Sequence, residues 1–184
     1  SLINSIKGKA LLCVGGIQLP QLLPCGQFGT RRLGGDGDSG QPRYIYTTLN
    51  KKLVDLLYNR DDSPNYSFVD EDGERAEPHY FVPILPMAIL EHTHIPAHGW
   101  KIQVWARDVF KVISVIRYLI NAYTSDESIE TIPIPEIEPD RRGFKGEFRE
   151  IRGVMHCFGD YIFDPDTRHL TITEIPIGSF TESF

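Results

Sequence analysis

The chain has 184 residues, of which 41% are hydrophobic and 24% charged, and its formal net charge is −6. This length and composition suit one large or two small domains with an ordinary hydrophobic core. No apolar run of about 18 residues is present, which excludes a membrane-spanning helix, and the first residues lack the layout of a secretory signal. The chain begins without Met inside a predicted helix, so we expect an excised internal fragment.

The cysteines indicate the redox environment. Cys13, Cys25 and Cys157 are far apart in the sequence and form no Cys-x-x-Cys motif. A disulfide framework or a thiolate zinc site needs paired or clustered cysteines, so this spacing argues against both. The pattern therefore favours a reducing compartment.

The first predicted elements surround a glycine-rich segment. Apolar residues near helical spacing predict a helix over residues 2–12. Residues 44–48 alternate as a strand does, and residues 50–58 predict a helix with Asn50 as N-cap. The buried side of this second helix is predicted to consist of Leu53, Val54, Leu56 and Leu57. Helix, glycine-rich segment and strand together are consistent with a winged-helix module.

The glycine-rich segment, residues 26–48, is the least ordinary part of the sequence because it combines many glycines with three arginines. Residues 1–60 carry a net charge of +5, whereas residues 61–100 carry −7 and residues 101–184 carry −4. Glycine allows positive φ and a close approach of another backbone, so glycines beside arginines suggest phosphate binding. The positive field of this region suits a one-sided contact with a phosphate backbone.

Arg43 and Tyr44, near the end of this segment, offer a specific chemistry. A tyrosine phenol has a pKa of about 10 and is a poor nucleophile at neutral pH. An adjacent guanidinium favours the phenolate and can bind a phosphodiester, so the pair would suit covalent attack on a nucleic-acid backbone. On its own such a pair is much more often structural, at the start of a strand, than catalytic.

The centre of the chain is predicted to be an acidic connection followed by an apolar segment. Residues 59–78 are polar, and Asp70 and Asp72 invite a divalent ion, but a solvated turn with Gly73 at positive φ is the preferred interpretation. Residues 81–90 are nearly all apolar and predict a buried strand interrupted by prolines.

Three histidines follow at positions that permit metal binding. Alternate residues of a strand face the same way, so His92 and His94, with His98 as a third imidazole, can form a zinc site. A metal-binding hydrolase built on these histidines is therefore one alternative function. The same side chains offer contacts to phosphates instead, more strongly as pH falls towards about 6.5.

The last third of the sequence predicts one helix and several strands. Residues 108–123 have an apolar face, and Asp108 favours the helix N-terminus. The proline-rich residues 132–139 must run extended. Short strands are predicted at residues 143–150, 154–158, 161–163 and 169–175, with a turn at residues 164–166.

Several blocks of this sequence together resemble one protein family. Residues 27–31 read QFGTR, and thirteen residues beyond the arginine of this block comes Tyr44, within PRYIYT. Further blocks keep the family's order, namely EPHYFVPILPM from Glu77, GW at Gly99 and FKG at Phe144. The sequence closely resembles the breakage-reunion region of eukaryotic-type type IIA DNA topoisomerases over nearly its whole length. The blocks diverge from those of animal and yeast members, which favours a member from a large double-stranded-DNA virus.

The resemblance implies roles for the residues of the glycine-rich segment. It makes Tyr44 the nucleophile that becomes joined to the 5′ end of a cut DNA strand, and Arg43 the group that stabilises the charge of the transition state. The energy of the broken bond stays in the phosphotyrosine, so the released 3′ hydroxyl can reseal the strand. The resemblance also implies DNA contacts from Ser1, Gln27, Arg31 and Arg32.

The resemblance further implies a wedge that bends DNA. The family carries, in the turn before the Gly-Trp pair, an isoleucine that inserts between base pairs. Counting back from Gly99, the matching position is Pro96, with Ile95 beside it. Both residues are apolar and suited to unstack a base step, so one of the two is expected to intercalate.

The implied fold class is α+β. The resemblance divides the chain into a winged-helix-type breakage-reunion module with the wedge turn, residues 1–105, and the beginning of an α+β tower domain, residues 106–184. It implies a homodimeric, ATP-dependent parent enzyme that acts on double-stranded DNA and not on a membrane. Mg²⁺ and ATP are expected in domains outside these residues, with no metal site within them. A viral enzyme is expected in the host-cell cytoplasm, at the site of viral replication, and a cellular one in the nucleus.

Three functions are therefore compared below. The first is a segment of a type II DNA topoisomerase, which makes a transient double-strand break, passes a second duplex and religates; the segment alone is expected to be inactive. The second is the metal-binding hydrolase built on His92, His94 and His98. The third is a non-catalytic DNA-binding module.

Overall fold

The structure, a computed structural model, describes residues 2–34, 37–125 and 131–184. In this part of the chain, four α-helices alternate with ten strands that pair two by two in antiparallel fashion, in agreement with the α+β class. None of the described helices is both long and apolar enough to cross a membrane. The helices are α1 (Leu2–Lys9), α2 (Lys51–Leu57), α3 (Met87–Leu90) and α4 (Val109–Thr124). The strand pairs are β1 (Leu22–Cys25) with β2 (Tyr46–Leu49), β3 (Phe68–Glu71) with β4 (Glu74–Pro78), β5 (Thr93–Ala97) with β6 (Trp100–Val104), β7 (Glu147–Ile151) with β8 (Val154–Phe158), and β9 (Asp160–Asp164) with β10 (His169–Glu174).

The glycine-rich segment follows β1 directly and leads into β2. Helix α1 ends three residues before its predicted end, because the Ala10 N–H already donates to Lys7 O at 3.1 Å and tightens the last turn. Strand β2 begins at Tyr46 and not at Tyr44 as predicted. The reason is a 3₁₀ turn over Pro42–Tyr44, in which the Tyr44 N–H donates to Gln41 O at 2.8 Å.

Helix α2 follows β2 directly and is capped as predicted. The Asn50 side chain accepts a hydrogen bond from the Leu53 N–H at 3.4 Å and donates one to Pro20 O at 3.0 Å. Leu57 is buried, but Leu56 is 65% exposed, so the predicted buried side is only partly right. The apolar residues of α2 are adjacent in two pairs, Leu53–Val54 and Leu56–Leu57. Adjacent residues of a helix point in different directions, so both members of a pair cannot face the core.

In the centre of the chain, the predicted turn at Gly73 is confirmed and the strand predicted at residues 81–90 is wrong. The polar connection contains the β3–β4 hairpin, whose turn is closed by the Gly73 N–H donating to Asp70 Oδ1 at 2.9 Å, as a solvated turn requires. The buried strand predicted at residues 81–90 is wrong: Phe81 is 59% exposed, and the segment ends in helix α3. Prolines at positions 83 and 86 remove backbone donors and prevent a regular ladder.

The largest group of buried apolar side chains lies between α3 and α4. Leu90, Val109 and Val112 form its centre, and partly buried residues such as Ile137 pack against it. Asp108 caps α4 as predicted, accepting hydrogen bonds from the Phe110 and Lys111 N–H groups, both at 2.9 Å. This core fixes the base from which the β5–β6 hairpin extends.

The four C-terminal strands form two hairpins near their predicted positions, but β7 begins at Glu147 and not at Gly143 as predicted. The turn between β9 and β10 is closed by the Asp166 N–H donating to Asp164 Oδ1 at 2.9 Å. After β10 the chain returns to the glycine-rich segment, where the Glu182 N–H donates to Arg32 O at 3.0 Å. This return places the end of the chain beside the candidate site.

Candidate functional site

Tyr44 lies on the surface, at the end of its 3₁₀ turn. Its side chain is 70% exposed, and the guanidinium carbon of Arg43 lies 4.9 Å from the centre of its ring. A guanidinium over an aromatic face is attracted by the ring's electrons. The pair therefore presents a phenol and a cation on one exposed surface.

The glycine-rich segment has a defined shape because hydrogen bonds close it at several levels. At its base the Gly40 N–H donates to Gln27 O at 2.8 Å. Further out, Asp38 accepts from the Thr30 N–H at 2.9 Å and from the Thr30 hydroxyl. These bonds, led by the hydroxyl, hold the pKa of Asp38 below its usual value. Lys7 of α1 donates to Ser39 Oγ at 2.7 Å and fixes the segment from outside.

Arg31 is held by the C-terminal part of the chain. Its Nη2 lies 2.7 Å from Glu174 Oε1 and donates to Ile175 O at 2.7 Å. The Glu174 carboxylate is almost fully buried and also accepts from the Lys145 N–H at 2.9 Å. Burial works against the charged form of Glu174, but these hydrogen bonds and the Arg31 charge outweigh it, so the pKa of Glu174 lies below its usual value.

Arg32 differs from its neighbour because its side chain is 72% exposed. It forms an ion pair with Glu182 at the surface. Among the residues predicted to contact DNA, the structure thus brings Gln27, Arg31 and Arg32 onto the same segment as Tyr44. Ser1 lies outside the described residues.

The β5–β6 hairpin carries both wedge candidates, but on opposite faces. Ile95 pairs with Ile102, and Pro96 pairs with Lys101. Because paired residues share a face and successive residues alternate, Ile95 and Ile102 share a face with Trp100, whereas Pro96 shares the other face with Lys101. Ile95 is 51% and Trp100 81% exposed. The hairpin is therefore apolar on one face and carries a cation beside Pro96 on the other.

The structure describes the side chains of two of the three predicted metal ligands, His92 and His98. The ring of His92 stacks on Trp105, with 4.6 Å between ring centres, and His98 lies in the exposed turn. Among the side chains that the structure describes, no group of three or more His, Cys, Asp or Glu could hold a metal ion. The side chain of His94 lies outside the described part, so this finding does not cover the predicted set of three histidines.

Two carboxylates of the site were missed by sequence reasoning. Asp38 lies eight residues from its partner Thr30, and Glu174 lies 143 positions after Arg31. Neither spacing belongs to a local motif. The only signal available was an acidic residue at the end of a predicted strand, which is ordinarily a solvated position.

Comparison with known proteins gives a consistent result. A family profile that describes the A-type subunit of DNA gyrase/topoisomerase IV matches residues 12–184. DNA topoisomerase 2 of African swine fever virus (isolate Pig/Kenya/KEN-50/1950) is 34% identical over 187 residues, which cover 96% of this chain and 15% of that protein. DNA topoisomerase 2 of Saccharomyces cerevisiae is 34% identical and covers 100% of this chain and 12% of its own length. For DNA topoisomerase 2-alpha of Mus musculus these values are 32%, 100% and 11%.

A solved structure is similar as well. The crystal structure of the Plasmodium falciparum topoisomerase II DNA-binding, cleavage and re-ligation domain superposes with a TM-score of 0.78 and 27% sequence identity. The match covers 97% of this chain and 23% of that chain. The chain spans at most 15% of the length of the curated relatives named above. These matches do not favour the hydrolase built on His92, His94 and His98.

Proposed function

Because the chain belongs to the family of DNA gyrase/topoisomerase IV A-type subunits, we propose that it is the part of a type II DNA topoisomerase that breaks and rejoins DNA. The observation that carries the proposal is the exposed Arg43–Tyr44 pair, with the guanidinium carbon 4.9 Å from the ring centre, at the end of a closed loop. In the parent enzyme, two copies of Tyr44 in a homodimer cut both strands. A second duplex then passes, and the strands are rejoined in an ATP-dependent cycle.

The reaction is an exchange of phosphate esters. The Tyr44 oxygen attacks the phosphorus and loses its proton, the bond from phosphorus to the 3′ oxygen breaks, and that oxygen takes up a proton. One ester bond replaces another, so the reverse reaction reseals the strand without further energy. Arg43 stabilises the negative charge that develops on the phosphoryl oxygens, a contribution worth about 10²–10³ in rate for one such group in other enzymes.

The arginines of the glycine-rich segment supply the grip on the backbone. Arg32 is best placed, since an exposed ion pair such as that with Glu182 contributes only about 0–1 kcal/mol and can be exchanged for a phosphate. Gln27 is exposed on the same segment. Arg31 adds positive charge beneath the DNA, and Ser1 completes the proposed contacts.

We assign the wedge to the tip of the β5–β6 hairpin, with Pro96 favoured over Ile95. A side chain that unstacks a base step gains from a cation beside it, because the bent duplex brings phosphates close. Lys101 pairs with Pro96 and provides that cation. Ile95 lies on the opposite face, among apolar side chains.

The proposed domains are the winged-helix-type module over residues 1–105 and the beginning of the tower over residues 106–184. Helices α1 and α2 with the β1–β2 pair support the first assignment, and the two C-terminal hairpins support the second. The core formed by Leu90, Val109 and Val112 includes residues from both. The two parts therefore pack on each other at the proposed boundary.

Mg²⁺ and ATP belong, in this proposal, to other parts of the parent enzyme. Among the described side chains there is no group of three or more His, Cys, Asp or Glu that could hold a metal ion. We propose the host-cell cytoplasm as the location of a viral enzyme and the nucleus as that of a cellular one.

The decisive experiment is Tyr44→Phe in the full-length parent enzyme. We expect no covalent protein–DNA adduct after denaturation and no relaxation or decatenation of DNA, with unchanged DNA affinity and thermal stability, because the substitution removes only an exposed hydroxyl. Relaxation by the variant would refute the mechanism. DNA cleavage by the isolated 184-residue chain would refute the proposal that the segment is inactive alone.

A further inference from the structure

Glu174 is the most buried charged residue in the part of the chain that the structure describes, with 9% of the whole residue exposed. Its carboxylate has three partners: Arg31 at 2.7 Å, the Lys145 N–H at 2.9 Å and the Ile175 N–H at 3.1 Å. A buried carboxylate is costly unless its oxygens are paired and hydrogen-bonded. The three partners of the Glu174 carboxylate meet this requirement.

The two neighbouring arginines are anchored very differently. Arg31 is 24% exposed and its partner Glu174 is 7% exposed, as side chains, whereas Arg32 and Glu182 are 72% and 40% exposed. An ion pair shielded from water keeps its geometry, while a surface pair exchanges readily with solvent and ions. Of these two ion pairs, only Glu174–Arg31 can therefore fix the position of the segment.

A chain of contacts leads from Glu174 into the glycine-rich segment. Arg31 follows Thr30 in the sequence, and Thr30 is bonded to Asp38 through both its N–H and its hydroxyl. The backbone of Arg31 is fixed as well, since its carbonyl accepts from the Thr181 N–H at 3.4 Å. The turn that carries Arg31 is therefore tied to Asp38 on one side and to the C-terminal part of the chain on the other.

The same contacts continue to the nucleophile. Two residues beyond Asp38, the Gly40 N–H donates to Gln27 O at 2.8 Å and closes the base of the segment. The next residue, Gln41, accepts at 2.8 Å from the Tyr44 N–H. Backbone hydrogen bonds thus link the described residues from Asp38 to Tyr44 with the base of the segment.

We propose that Glu174 is a positioning residue for DNA cleavage: its carboxylate fixes the Arg31 guanidinium and, through the glycine-rich segment, the place of Tyr44 relative to the phosphate. This inference rests on the proposed role of Tyr44. Glu174 contacts neither the phosphodiester nor the reacting phenol; it acts through Arg31 and the backbone that Arg31 anchors.

Loss of the Glu174 charge is expected to slow the chemical step more than it weakens DNA binding. A small displacement of a nucleophile lowers the rate of reaction steeply, since the reacting atoms must approach within about 3–3.5 Å in line. DNA affinity is the sum of many phosphate contacts and changes little when one loop shifts. Loss of the Glu174 charge is therefore expected to separate binding from cleavage.

The test uses the full-length enzyme with Glu174→Gln, and with Glu182→Gln as the matched control on the neighbouring, exposed arginine. Three quantities are measured: the dissociation constant for a short duplex, the fraction of bound duplex that is covalently joined at equilibrium, and the thermal midpoint. For Glu174→Gln we expect the covalent fraction to fall about tenfold and the dissociation constant to change less than about threefold. Glu182→Gln should change both less than about twofold.

A covalent fraction for Glu174→Gln equal to that of the wild type overturns the proposal, as does a fall that merely follows the amount of folded protein. If Glu174→Gln does not fold, Glu174→Asp decides, because it keeps the charge but withdraws the carboxylate by one methylene. It should show a smaller loss of covalent fraction, and wild-type behaviour would again overturn the proposal. A covalent adduct formed by Tyr44→Phe would instead refute the proposed function, whatever Glu174 does.

Discussion

The two regions proposed to act on DNA are built in opposite ways. The glycine-rich segment has little regular structure and is held by side chains from distant parts of the chain, with Lys7 bonded to Ser39 and Glu174 to Arg31. The β5–β6 hairpin is held by its own ladder, which pairs all five residues of each strand, and it carries an exposed Ile95. The glycine-rich segment is therefore held by contacts with other elements, and the hairpin by hydrogen bonds between its own two strands.

This difference fits the role that we propose for each region, nucleophilic attack for the glycine-rich segment and DNA bending for the hairpin. A nucleophile must be placed accurately against one phosphorus atom, so its loop benefits from anchors in several elements. A wedge needs an apolar shape and a stiff support, and a hairpin provides both. The comparison predicts that remote substitutions disturb the glycine-rich segment, whereas substitutions in the hairpin act locally.

Among the substitutions that test this difference between the two regions, Arg43→Ala is expected to have the largest effect, which is on the rate of DNA cleavage. Removing the charge that stabilises the transition state should slow DNA cleavage about 10²–10³-fold, with no change in thermal midpoint because the side chain is exposed. Single-turnover cleavage of a short duplex by the full-length enzyme measures the rate. Arg75→Ala is the matched control, since its guanidinium also lies over an aromatic ring, 3.3 Å from the centre of Phe68. Equal losses in the two variants would contradict a specific role for Arg43.

A substitution away from the DNA surface tests the anchoring of the segment. A methyl group on Gly34 would lie 2.4 Å from the ring of Phe180, and the φ of Gly34 is +73°. We expect Gly34→Ala to destabilise the protein by about 1–3 kcal/mol through overpacking, in addition to the cost of the backbone conformation. It should also lower the covalent DNA adduct.

Gly153→Ala separates these two costs. Gly153 has a φ of +76° with nothing within 4 Å of the added methyl group, so this variant has the backbone cost alone, about 1–2 kcal/mol. Chemical denaturation of the full-length enzyme compares the two. If Gly153→Ala is as harmful as Gly34→Ala, the contact with Phe180 does not anchor the segment.

The sequence predicted elements whose signals are local. Asn50 and Asp108 were identified as caps because each lies directly before an apolar periodic segment, and the C-terminal strands because turn residues separate them. The strand predicted at residues 81–90 is wrong because apolar composition does not distinguish a buried strand from an extended loop with prolines. The partnership of Arg31 and Glu174 could not be predicted because it depends on the tertiary return of the chain.

The hairpin comparison can be sharpened by replacing each wedge candidate separately. Pro96→Ala in the full-length enzyme should reduce the bend of a bound duplex, measured by energy transfer between dyes at its ends, and weaken binding up to about tenfold. Ile95→Ala should change binding less than about twofold, since it lies on the face opposite Lys101. Thermal stability should be unaffected by either, because both side chains are exposed. The reverse order of effects would assign the wedge to Ile95.

The smallest expected effect is a local loosening of the glycine-rich segment in acid. Hydrogen bonds from the Thr30 hydroxyl and N–H lower the pKa of Asp38, so its charged form is favoured in the folded state. The resulting stabilisation is complete above the unfolded pKa of about 3.9 and is lost as pH falls through the lower folded pKa. The protection of the Thr30 amide against hydrogen exchange, corrected for intrinsic rates, should therefore stay constant from neutral pH to about 4 and then decrease.

Asp38→Asn should weaken this protection already at neutral pH, since a neutral amide is the poorer acceptor. Wild-type protection that decreases between pH 7 and 5 would mean that another group, and not Asp38, holds the segment at this level.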